Sequence, residues 1–187
     1  SLKSSKEEIG ILNTTKENNA VIHLVKSLPK DLKSNFIAQV NIEERQSLSC
    51  NHTATHLLHQ SLREVLGDHV EQKGSLVSVK SLRFDFSHFV KIDSEQLASI
   101  EEAVNNKILE NIERAIHNIT LTKAKEIGAM MLFGEKYEDV VRVVQFKDSK
   151  ELCGGTHVAH TGEIGLFKIL SEGSISSGIR RIEAITA

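Results

Sequence analysis

Proline is all but missing from this chain: Pro29 is the one example in 187 residues. Such a sequence suits a globular domain that contains helices. Cysteine is scarce too, with Cys50 and Cys153 the two present. A bridge between them is the bland alternative for Cys153, but no secretory signature accompanies it, and Cys153 lies inside a motif of metal-ligand type. Neither sign of charge prevails. The 23 basic and 25 acidic side chains leave a net charge of −2, so charge alone does not announce a nucleic-acid binder, and any basic surface would be a patch on one face. Apolar runs stay far below the ~20 residues of a membrane-spanning helix. No phosphate-loop sequence offers a basis for ATP chemistry within these residues. What remains is a chain 40% hydrophobic, long enough for one good core or a core with a small appendage. It opens on Ser1 rather than methionine, and a piece cut from a longer protein is the expectation.

The first stretch reads differently from the rest. Short apolar runs at 9–12, 20–25 and 35–40 alternate with the turn residues Asn18-Asn19 and Pro29-Lys30-Asp31, which predicts a small antiparallel β segment. Three strands make a poor independent core. Beyond it, leucines at helical spacing predict a helix over 47–66, ended by Gly67. Strands follow at 74–79 and 82–86, the second alternating Leu82, Phe84 and Phe86 with Arg83 and Asp85, and Phe89 is read with the other two phenylalanines as core. Ser94 is expected to cap a long helix whose apolar stripe is Leu97, Ile100, Val104, Ile108 and Ile112. A strand at 119–122, a helix at 123–129 and strands at 140–146, 165–172 and 180–185 complete the chain. Helices and strands mix without a βαβ repeat, so the fold class is α+β, a mixed sheet packed with helices, divided into residues 1–46 and 47–187.

His52 and His56 stand at i, i+4 in the first predicted helix, so both imidazoles project from one side. Cys153 and His157 flank the paired glycines of Cys153-Gly154-Gly155-Thr156-His157, which let the backbone turn back sharply. Together the two pairs supply three nitrogens and one sulfur, the donor mixture that best suits tetrahedral zinc. HxxxH alone is weak, because histidines at this spacing also decorate solvated helix faces. Thr53 occupies the place of the glutamate in HExxH zinc proteases, so no general base is built in and a protease is disfavoured. His59 and His160, three residues beyond His56 and His157, read as outer-sphere or solvent-facing groups. A zinc ion with four protein ligands is normally structural, since no position stays open. That alternative stands beside a functional ion.

Several further blocks follow one another in order: NHTATHLLH (51–59), QKGSLV (72–77), LRFDFSH (82–88), ELCGGTHV (151–158), GEIG (162–165) and GIRRIEA (178–184). From Ile42 to the C-terminus the sequence resembles the editing domain of alanyl-tRNA synthetases. The threonyl-tRNA synthetase editing domain shares the HxxxH and CxxxH pairs, but the CGGTHV and RFDFSH wording is of the alanyl type. Ser78-Val79-Lys80 replaces a proline–aspartate step often found before the RFDF block, and Glu138 follows Tyr137 where glycine is commoner. Both departures lie away from the metal residues.

The resemblance implies that residues 1–46 are the last strands of an incomplete β-barrel and that 47–187 form the editing, or second additional, domain. It implies Zn2+ held by His52, His56, Cys153 and His157 in an editing pocket, serving the hydrolysis of tRNA(Ala) mischarged with serine or glycine. The full-length parent would ligate alanine to tRNA(Ala) using ATP. Gln72 and Cys153 take catalytic roles. On sequence alone Gln72 is a loop residue, but its amide offers both a donor and an acceptor for a water or the substrate. Thr53, Gly74, Gly155 and Thr156 would line the substrate, the glycines through backbone N–H groups and the threonines through hydroxyls suited to a seryl side chain. Lys73, Arg83, Lys136, Arg180 and Arg181 can meet phosphates at the tRNA acceptor end, although most single basic residues are simply solvated and Arg83 can instead pair with Asp85. The expected partners are the acceptor end of tRNA(Ala) and the remaining synthetase domains in cis, in the cytoplasm and with no membrane. Two alternatives stay open: a free-standing deacylase of the same superfamily working in trans, and a structural zinc module that only binds tRNA or partners.

Overall fold

Two units make up the chain, Ser1–Arg45 and Gln46–Ala187. The computed structural model describes residues 1–18, 20–131 and 137–187, so Asn19 and Lys136 lie outside the described residues. The first unit contains β1 (Leu2–Lys3), β2 (Glu8–Ile9), β3 (Ile11–Glu17), β4 (Ala20–Val25) and β5 (Ile37–Ala38). β1 pairs antiparallel with both β2 and β5, and β3 forms a hairpin with β4. The expected apolar runs do enter strands, but they have little to bury. Ile9 is inside, whereas Leu12, Val21 and Leu24 are exposed, as befits strands too few for a core of their own.

The longest helix, α1 (Ile42–Leu66), starts earlier than its leucine pattern predicts. Asn41 explains this, accepting from the Glu44 backbone N–H through Oδ1 at 3.3 Å and from that of Arg45 through its carbonyl at 3.0 Å. Glu43 and Glu44 then favour the positive end of the helix. The helix stops where Gly67 adopts φ 113°, and Arg63 donates to the Asp68 and Val70 carbonyls at 2.7 and 2.8 Å. Next come β6 (Gln72–Val77) and β7 (Leu82–Ser87), then α2 (Ser94–Leu109). Asp93, not Ser94, caps α2: its Oδ1 accepts from the Gln96 N–H at 2.8 Å, and Gln96 Oε1 accepts from the Asp93 N–H at 3.2 Å. A carboxylate adds the negative charge that a helix start favours and a serine hydroxyl lacks. Ile112 lies past the end of α2 yet packs on the same core as Ile100, Val104 and Ile108.

The remaining elements are β8 (Arg114–Thr120), α3 (Leu121–Glu126), β9 (Val140–Phe146), β10 (Ser149–Leu152), a short 3-10 helix (Thr161–Ile164), β11 (Phe167–Ser176) and β12 (Ile179–Thr186). The α+β class is as expected, but the single mixed sheet is replaced by separate sheets. One has the strand order β10-β9-β8 and another β11-β12-β7-β6, with antiparallel pairing throughout both. Leu57, Leu58 and Leu62 of α1, Ile100 and Val104 of α2, Phe84 and Phe86 of β7, and Ile182 of β12 fill the core between them. Phe89 corrects the sequence reading, being 83% exposed. The two-residue period that turns Phe84 and Phe86 inward brings His88 in next and leaves Phe89 outside. Among the described residues no helix is long and apolar enough to cross a membrane.

Register places Arg181 of β12 opposite Asp85 of β7. Its Nε and Nη2 donate to Asp85 Oδ1 and Oδ2, each at 2.7 Å, and these hydrogen bonds hold the Asp85 carboxyl below its ordinary range. We expect Asp85→Asn to lower the unfolding free energy by about 1–3 kcal/mol, the scale of a charge-assisted hydrogen bond that loses its charge. Because the native pKa lies below the unfolded one, the pair's contribution is full above pH ~4 and is lost as pH falls through the native value. Urea unfolding of both proteins from neutral pH into acid should show a gap that narrows below pH ~4. A gap that persists unchanged in acid would assign the role of Asp85 to packing.

Candidate metal centre

Positions 52 and 56 fall one turn apart on α1, with their imidazole centroids 5.3 Å apart. The turn carrying Cys153 and His157 leaves the end of β10, 101 residues beyond His52. It nevertheless returns to the same point. Cys153 Sγ lies 3.4 Å from His52 Nε2 and 3.3 Å from His157 Nε2, and the His157 ring stands 4.2 and 4.5 Å from those of His52 and His56. One ligand atom from each of the four residues lies within 4.8 Å of the others. Zinc bonds of roughly 2.0–2.3 Å give tetrahedron edges of about 3.5 Å, so these donors fit an ion of that size.

Each ring is fixed from behind. His157 Nδ1 meets the Thr53 hydroxyl at 3.1 Å, and that hydroxyl also accepts from the Val158 N–H at 3.2 Å. His52 hydrogen-bonds the backbone of Thr156. His56 turns Nε2 to Glu151 at 3.6 Å, while its Nδ1 is buried with no hydrogen-bond partner. An orphaned nitrogen beside two other imidazoles and a thiol is what a metal ion would satisfy. The turn itself is held by two guanidiniums. Arg142 of β9 donates to the carbonyls of Cys153 at 2.6 Å and Gly155 at 3.1 Å, and Arg114 of β8 donates to that of His157 at 2.5 Å. Gly155 has to be glycine, since a Cβ there would lie 2.1 Å from His52 Cε1.

Burial keeps the imidazoles neutral. It lowers the pKa of His52 to about 4 and also depresses His56 and His157; neighbouring cations lower His157 further, whereas the Glu151 carboxylate opposes the shift at His52 and His56. Burial pushes the Cys153 thiol up. Neutral imidazoles present the lone pairs that coordination needs, and a bound cation would reverse the thiol's preference. The Gly155 N–H, 3.4 Å from Cys153 Sγ, would support the thiolate.

The predicted residues fall into two groups. Thr53, Gly155 and Thr156 gather at the four ligands, with Thr53 buried and its hydroxyl committed to His157 and Val158. Gln72, Lys73, Gly74, Arg83, Arg180 and Arg181 belong to β6, β7 and β12. Gln72 opposes Phe86, with a bulge before Gly74, and Gly74 backs onto Asp85. Lys73 pairs with Glu71 at 2.7 Å, while Arg83 and Arg181 share Asp85 at 3.9 and 2.7 Å. Arg180 is buried and holds Glu172 through Nε and Nη2. His160 is exposed and its N–H bonds Glu163 at 2.8 Å, His59 binds Glu151, and both cysteines are free, which removes the disulfide alternative. Sequence reasoning missed Glu151, Arg114 and Arg142. Glu151 stood two residues from Cys153 as a pointer, but the arginines bond backbone carbonyls and leave no motif.

Residues 141–183, which include Cys153 and His157, match a family described as the threonyl and alanyl tRNA synthetase second additional domain. Over 97% of its length the chain is 54% identical to an alanine–tRNA ligase of Parabacteroides distasonis and to one of Cytophaga hutchinsonii. Over 96% it is 55% identical to an alanine–tRNA ligase of Bacteroides fragilis. The chain spans 21% of the length of each of these relatives.

The close approach of Gly155 to His52 yields a paired test. Gly155→Ala should weaken metal binding by roughly ten- to a hundredfold, the scale of a displaced ligand. Gly154→Ala should leave it unchanged, because a Cβ at Gly154 meets nothing within 4 Å. Competition with a chromogenic chelator measures both, and equal affinities would free His52 from any dependence on the turn.

Proposed function

We propose that this chain, homologous over nearly its whole length to a segment of alanine–tRNA ligases, is the editing part of such an enzyme: a zinc-dependent hydrolase of tRNA(Ala) mischarged with serine or glycine. The observation that carries the reading is the convergence of His52, His56, Cys153 and His157 within 4.8 Å. Residues 47–187 would be the editing domain and residues 1–46 the closing strands of a partial barrel. Ligation of alanine with ATP would belong to other parts of a full-length parent, with the cytoplasm as the setting.

When bound, zinc supplies a Lewis acid for the ester and lowers the pKa of its water towards ~7. The chain's own groups do the rest. His56 and His157 are buried, whereas His52 and Cys153 are half-exposed, so one side of the centre is reachable by a substrate. That asymmetry favours a working ion over the structural zinc module that four protein ligands would otherwise suggest. Gln72 would orient the water or grip the substrate, and the Gly74 N–H would face the carbonyl oxygen or the ribose–phosphate, while Gly155, its N–H turned to Cys153 Sγ, would line the substrate without donating to it. Of the two threonines, Thr156 is the one free to meet a seryl hydroxyl directly, and Thr53 acts through the His157 ring it holds. Arg83 and Arg181 share Asp85 and have Glu183 beside them, so a phosphate there would have to take the place of these acids. Lys73 and Arg180 are each matched by a carboxylate.

Deacylation of seryl- and alanyl-tRNA(Ala) by the zinc-loaded protein tests this. Seryl ester should be cleaved and alanyl ester spared. Cys153→Ala should cut cleavage by about a hundredfold or more, equivalent to ~3 kcal/mol of transition-state stabilisation, with the fold retained by circular dichroism. Gln72→His should impair cleavage and leave zinc bound. Unfolding of the Cys153→Ala protein or of the metal-stripped chain would instead favour the structural module, and wild-type turnover by Gln72→His would return Gln72 to the surface.

A further inference from the structure

We infer that Glu151, braced by His59, is a positioning residue that sets the His56 ring for the metal ion, an inference that rests on the metal reading above. Glu151 lies in β10, opposite Val144 of β9, and is buried. A carboxylate in such a place needs partners. It finds them on α1, where His56 and His59, three residues apart, present both rings to one acid. Oε1 lies 3.1 Å from His59 Nδ1, and Oε2 lies 3.6 Å from His56 Nε2. One ring therefore serves each oxygen.

Both histidines leave their other nitrogen buried with no hydrogen-bond partner, and they differ in what their rings lie against. His59 packs its ring 5.2 Å from that of Phe84, against the core, and is fixed there as a brace. His56 leaves Nδ1 buried and unpartnered, beside His52 and His157. The carboxylate, 3.6 Å from Nε2 and so an electrostatic neighbour rather than a hydrogen-bond acceptor, favours the proton on that nitrogen and leaves the lone pair on Nδ1. Thr53 does the corresponding service for His157 and the Thr156 backbone for His52. Glu151 is the charged member of the set, and it adds basicity as well as direction to the nitrogen opposite.

Metal-free protein reloaded with Zn2+ alone, and titrated against a chromogenic chelator, tests the assignment. Glu151→Gln keeps the shape and one acceptor oxygen, and it should weaken zinc by roughly ten- to a hundredfold while the metal-free protein melts as the wild type does. His59→Gln, which loosens the brace and leaves the acid, should weaken zinc by roughly tenfold. Co2+ in place of zinc should show shifted visible bands in both variants, a signature that a merely structural contact would not move. Should Glu151→Gln fail to fold, His59→Gln decides the matter by the same titration. Wild-type affinity in the variants that fold overturns the positioning role and leaves the metal site standing. A wild-type chain that takes up no zinc overturns the site and this inference with it.

Discussion

Bringing three imidazoles and a thiol within 4.8 Å of one another sets conditions that much of the second unit is arranged to meet. An imidazole has two nitrogens, and aiming one inward leaves the other in need of a partner. The hydroxyl of Thr53, the backbone of Thr156 and the carboxylate of Glu151 each answer one ring. The Cys153–His157 turn exposes carbonyls that two arginines gather up, Arg142 from β9 and Arg114 from β8. The helix thus supplies one half of the centre and the smaller sheet frames the other. Glu151, as the last buried residue of β10 and the neighbour of two α1 histidines, belongs to both.

The larger sheet has a different character. Its charges are parcelled into compensated sets, with Arg180 on Glu172, Lys73 on Glu71, and Arg83 with Arg181 on Asp85. Such pairs align β7 with β12 and close the β11–β12 hairpin at Glu172, but they leave little unbalanced positive charge. A chain of net charge −2 with its arginines so occupied would gain little of the counterion-release energy that dominates nucleic-acid affinity. Recognition by this piece, on the proposed reading, leans on the chemistry of the charged end rather than on a long electrostatic footprint.

The legible and illegible parts of the sequence separate on physical grounds. HxxxH and CGGTH were readable because coordination needs fixed residue types at fixed spacing, and β9 was readable at 140–146 because Val141, Val143 and Val144 are apolar and inside. β10 was invisible because its inward residues are Ser149 and Glu151, polar groups that break the hydrophobic alternation. The start of α1 escaped because Ile42 to Gln46 bury nothing, and the helix there rests on the Asn41 cap instead. Ser94 was chosen over Asp93 because the two are adjacent and both cap well, so only the Gln96 pairing decides. Phe89 was misplaced by chemistry where parity would have served. Arg114 and Arg142 could not have been found, since a side chain that bonds a main-chain carbonyl eleven or more residues away leaves no mark in the sequence.

Two members of the cluster on α1 and two after β10, 101 residues apart from His52 to Cys153, also impose an order of events in time. At ribosomal speeds of roughly 5–20 residues per second, about 5–20 s pass between the emergence of the first pair and that of the second. During that interval the helical histidines can offer a cation only half a shell. Once Cys153 and His157 arrive, an ion linking the pairs would close a ring of about a hundred residues, where loop-closure entropy makes a cross-link worth several kcal/mol in the chain-entropy picture. A metal at this point would act as a late fastener, locking α1 to β10 after the intervening strands have formed, so that a truncated chain lacking the second pair would have no means of retaining it.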